Sequence, residues 1–130
     1  MKSETKSNLN EILTTQINAH KEVTENNISE LKKSKSTKSS DLECLNKYKG
    51  KLETYNAMSK ILTYGYSVTK VIDLLDSTRN QLKNDICSQL SNHYIGKGRK
   101  SPEVWDNLQV LCGKLEALAD VRDIIDNAFV

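Results

Sequence analysis

Along residues 102–129 apolar side chains recur at steps of four and three: Val104, Leu108, Leu111, Leu115, Leu118, then Ile125 and Phe129, with Arg122 at the seam position between them. That rhythm predicts a helix with one apolar stripe built to pack on other helices. Its other face reads Asp106, Gln109, Gly113, Glu116, Asp120, Asp123 and Asn127, a stripe expected to meet water.

The same rhythm predicts three more helices. Ser40 and Glu43 are spaced as a capping box before Leu45, Tyr48, Leu52, Tyr55 and Leu62, which places a helix over about 41–64, stopping near Gly65. Ser67 is an N-cap for a helix over 67–95 that carries Val68, Ile72, Leu75, Arg79, Leu82 and Ile86, then shifts phase to Leu90 and Tyr94. Asn8 and Glu11 mark the start of a first helix with seam Leu9, Leu13, Ile17, His20 and Val23, running on to Ile28 and Leu31. Gln16, His20, Thr24 and Asn27 interrupt that seam, so a more polar helix is expected, docking weakly, reaching toward a partner, or breaking near Asn26 and Asn27 and restarting.

Residues 32–40 (KKSKSTKSS) hold no apolar side chain and read as a solvated linker between the first helix, 1–31, and a bundle over 41–130. Short connections then make the helices over 41–64, 67–95 and 102–129 antiparallel neighbours. The fold class is all-α: an up-down antiparallel bundle of three to four helices with coiled-coil-like seams. No strand pattern appears.

Composition sharpens this picture. Hydrophobic residues are 37% of 130, aromatics 5%, and mean hydropathy is -0.58, which suits one helical domain with long solvated faces. Pro102, the only proline, stands at a first turn where a helix accepts it. A net charge of +2 steers weakly toward nucleic acid unless the cations cluster. Cys44, Cys87 and Cys112 are odd in number and lack metal-ligand spacing. With a polar stretch at Met1–Lys6 and no apolar run, they predict a chain kept in the reducing cytoplasm, without membrane contact. The excess of lysine over arginine and the frequent asparagine are a compositional tilt of AT-rich genomes, and suggest a phage or bacterial origin.

Candidate chemistry is sparse. Arg79 and Arg122 occupy seam positions where an aliphatic residue is expected. A rise near 1.5 Å per residue puts Arg79 level with Leu118 and Arg122 level with Leu75. Asp76 and Asp126 stand within one turn as ion-pair partners; alternatively the two arginines set partner choice at an interface. The run Lys97, Gly98, Arg99, Lys100 and Ser101 before Pro102 is a candidate anion site, since unpaired amides and cations converge at a helix N-terminus. Lys32, Lys33, Lys35, Lys38, Lys47, Lys49 and Lys51 form a second basic cluster. Trp105 beside the last seam is expected to be buried. His20 and His93 carry no local partner motif, and no spacing points to a cofactor or a metal.

The expected function is therefore non-enzymatic: a protein-interaction or assembly module, such as a small accessory, inhibitor or structural protein. It would bind a protein partner or itself as a homo-oligomer. The expected partner surface is Leu9, Leu13, Ile17, His20 and Val23 with Arg79, Trp105 and Arg122. The alternative is sequence-independent binding of nucleic acid or phosphate through the clusters at 32–51 and 97–100.

Overall fold

The computed structural model describes residues 2–35, 37–95 and 102–128. They form α1 (Lys2–Ser34), α2 (Ser39–Leu62), α3 (Val68–Ile95) and α4 (Pro102–Ala128), an all-α bundle without a strand among the described residues.

Helix ends follow local chemistry. The Ser67 hydroxyl accepts the Lys70 amide at 3.2 Å and caps α3 as its sequence position predicts. Gly65 adopts φ 71° just past α2, a left-handed turn that a Cβ would strain, while the Thr63 hydroxyl donates to the Lys60 carbonyl at 2.6 Å. Pro102 opens α4 as expected.

The two predicted capping boxes are not used. α1 already runs through Asn8, and α2 begins at Ser39 with Asp41, not Ser40, favouring its positive end. The lysines of 32–35 tolerate helix, so the connection shrinks to 35–38, and Lys35 turns the chain at φ 49°. Of the stretch read as a linker, residues 32–34 lie in α1 and 39–40 in α2.

Successive helices alternate direction, and the packing order is α3, α4, α2, α1, with α1 also touching α4. α2 and α3, although joined by a short turn, barely approach each other. α4 takes the central place, and its contacts with α2 climb in the same direction on both helices. Asn46 Nδ2 donates to Gln109 Oε1 at 2.8 Å and to Asp106 Oδ1 at 3.1 Å. Farther along, Lys51 Nζ lies 3.7 Å from Glu116 and 3.8 Å from Asp120. α2 and α4 are therefore a parallel pair.

The polar stripe of α4, expected to face water, instead faces α2 through Gln109, Gly113, Glu116 and Asp120. Two glycines permit it. A methyl group at Gly50 would run into the Val110 carbonyl and one at Gly113 into the Lys47 carbonyl, so the two backbones touch at their crossing. Their sequence signal is a glycine inside a helix, which costs about 1 kcal/mol relative to alanine and so points to a packing reason.

One core joins all four helices: Leu13 and Ile17 from α1, Tyr55, Met58 and Leu62 from α2, Val71, Leu75 and Leu82 from α3, and Leu118, Val121 and Ile125 from α4. α1 docks firmly, because Ile17 is 0% exposed and full burial of such a side chain is worth about 1.5–3 kcal/mol. Its seam runs Leu13, Ile17, Thr24, Ile28. The Thr24 hydroxyl donates to the His20 carbonyl at 2.7 Å, so a polar residue sits in the seam at no cost in unpaired groups.

Candidate functional site

Among the described residues, polar side chains gather on an apolar base around Tyr55 and along the α3–α4 contact. The first is Tyr55, the largest wholly buried side chain, 1% exposed. The His20 ring stacks on it at 5.6 Å between centroids, tilted 24°. Its hydroxyl donates to Asp120 Oδ2 at 2.9 Å, the oxygen that also faces Lys51. Burial first, then the Asp120 carboxylate, and more weakly Glu116, raise the phenol above its ordinary value of 10.0. Such a phenol stays a donor at neutral pH; it ties α1, α2 and α4 together and is a poor base or nucleophile.

A stability prediction follows from that geometry. Because the folded state holds this proton more tightly than the unfolded chain, the stabilisation is complete below pH 10 and drains away as pH rises past it. Tyr55→Phe should cost about 1–2 kcal/mol at pH 7 and should flatten that alkaline decline. Urea denaturation across pH 7–11 reads both effects, and identical alkaline slopes in the two proteins would contradict the assignment.

The second place is an open groove of about 480 Å³ between α3 and α4. Leu75, Leu115, Leu118 and Ala119 form its floor, and Arg79, Lys83, Glu116, Arg122 and Asp123 stand around it. Arg79 and Arg122 thus share one site, as the rise per residue predicts. Arg122 pairs with Asp126 at 3.1 Å within α4 and with Asp76 at 3.3 Å across the groove. Asp76 therefore serves Arg122 and leaves Arg79, its expected partner, without an ion pair among the described residues.

The other candidates disperse. Leu13 and Ile17 are consumed by the protein's own core and offer no surface to a partner. Val23 is 59% exposed and points away from the core, because the α1 seam passes through Thr24 instead. His20 is exposed at its rim while stacked on Tyr55. Trp105, expected to be buried, is 38% exposed. Tyr64 and Tyr66 lie exposed at the α2–α3 turn, tilted against each other at 5.6 Å, with Lys70 Nζ 5.8 Å from the Tyr66 ring centre.

In the basic cluster, Lys32, Lys33, Lys35 and Lys38 are exposed at the α1–α2 turn, whereas Lys47 pairs with Glu43 at 3.5 Å and Lys51 serves α4. Lys97, Arg99, Lys100 and Ser101 lie outside the described residues, as do the side chains of Leu9 and His93. Among the described residues no set of three or more His, Cys, Asp or Glu side chains is placed to hold a metal ion, and no helix is long and apolar enough to cross a membrane. Comparison with protein-family profiles, curated proteins and solved structures finds no match.

Proposed function

We propose that this chain is a non-enzymatic protein-interaction module whose docking face is the α3–α4 groove. One observation carries the proposal: α3 packs closely on α4 and only grazes α1 and α2, while α1, α2 and α4 each have at least two close neighbours. An amphipathic helix held from one side leaves a trough beside it, and a helix from a partner laid there would supply the missing neighbour. Arg79 and Arg122, the two residues that break the seam pattern, both border that trough. The competing nucleic-acid proposal has less support, since Lys47 and Lys51 are committed to ion pairs.

Ala119→Trp tests the proposal, because Ala119 is exposed in the groove and an indole there fills it without entering the core. Light scattering and co-precipitation should show a self-associated or partner-bound species with the natural chain. The variant should lose that species while keeping its stability within about 0.5 kcal/mol. A monomer that retains no partner, or a partner retained equally by both proteins, would refute this docking face.

A further inference from the structure

We infer that the groove's occupant is an amphipathic helix with acidic side chains on successive turns, an inference that rests on the interaction-module proposal and names its partner's chemistry. The charges around the groove are unequally satisfied. On the α4 side, Arg122 is matched by Asp76 and Asp126, Glu116 faces Lys51, and Asp123 is the one groove acid without an ionic partner among the described residues. On the α3 side, Arg79 and Lys83 have no ionic partner among the described residues. They stand four residues apart on one face of α3, both at the groove. One turn is about 5.4 Å, so carboxylates three or four residues apart on a docked helix meet both cations.

Charge complementarity also selects among occupants. A basic or neutral helix leaves Arg79 and Lys83 unanswered beside a floor that docking desolvates, which carries a penalty. A second copy of this chain, seated about a two-fold axis, brings two further cations to the seam and only Asp123 as an uncommitted acid. An acidic helix answers the pair while its apolar stripe covers Leu115 and Ala119 between the buried Leu75 and Leu118.

The probes are three dye-labelled synthetic helices with the same leucine stripe and flanking positions filled by Glu, Gln or Lys, read by fluorescence anisotropy against the full chain. The Glu peptide should bind at least about tenfold tighter than the Lys peptide at low salt, with the difference shrinking as salt rises. Arg79→Glu with Lys83→Glu should reverse the order, and Ala119→Trp should abolish binding of all three. Circular dichroism confirms that these exposed substitutions leave the helices intact; should the double variant unfold, Arg79→Gln with Lys83→Gln should level the Glu and Lys affinities. Equal affinities for the three peptides with the natural chain, no binding, or a Glu preference that survives loss of both cations overturns the inference. If the peptides fail while Ala119→Trp still releases a partner or disrupts a self-associated species, the docking face stands and the acidic chemistry falls.

Discussion

Gly50→Ala is expected to destabilise the fold by about 1–3 kcal/mol, although alanine is the better helix former by about 1 kcal/mol. The sign is decided at the α2–α4 crossing. The added methyl meets the Val110 carbonyl, part of the α4 backbone, and a backbone cannot rotate aside as a flexible side chain can. The two helices must part, and separation loosens the Asn46–Gln109 and Tyr55–Asp120 contacts on either side. Gly113→Ala should act alike through the Lys47 carbonyl. The double variant should cost less than the sum of the two, because helices already parted accommodate the second methyl. Chemical denaturation followed by circular dichroism measures all three, and a stability gain in either single variant contradicts the close crossing.

Ile17→Ala should cost about 3–4 kcal/mol, a large share of the 5–15 kcal/mol that holds a typical domain together. Ile17 has no exposed surface and packs within the cluster that includes Leu13, Tyr55 and Val121, so a shortened side chain leaves a cavity where α1 meets the core. Loss should appear as one cooperative transition at lower denaturant. Were α1 only loosely attached, the cost would fall below about 1 kcal/mol, and amides of α1 would exchange far ahead of those in α2 and α4. Aspartate at Leu13 or Ile17 therefore tests folding, and a lost interaction in such a variant says nothing about a docking surface.

Helix number and type are legible in the chain because they rest on short-range signals: apolar steps of three and four, the Ser67 cap, the Gly65 turn and Pro102. The level of Arg79 and Arg122 across the groove is legible too, since antiparallel hairpin arithmetic needs only the rise per residue. Helix pairing is not. The parallel α2–α4 contact is made by glycines and by Asn46, Lys51, Gln109 and Asp120, residue types that pattern rules assign to solvent. The course of the α1 seam past Thr24 is hidden for a related reason, because a threonine that satisfies its own hydroxyl can occupy a position that pattern rules give to Val23. The acidic preference inferred for the groove could not be read from sequence, as it depends on which aspartate reaches which arginine across space.

The parallel α2–α4 pair has a kinetic corollary. Its contacts join residues about sixty positions apart, from Asn46 with Gln109 to Tyr55 with Asp120, and such distant closures slow folding relative to helical hairpins of equal size. A chain leaving the ribosome can zip α1 onto α2 early, yet the apolar side of α3 has little surface to bury until α4 emerges. α4 acts as a keystone, and nascent chains stalled before it should be the species most exposed to proteases and chaperones.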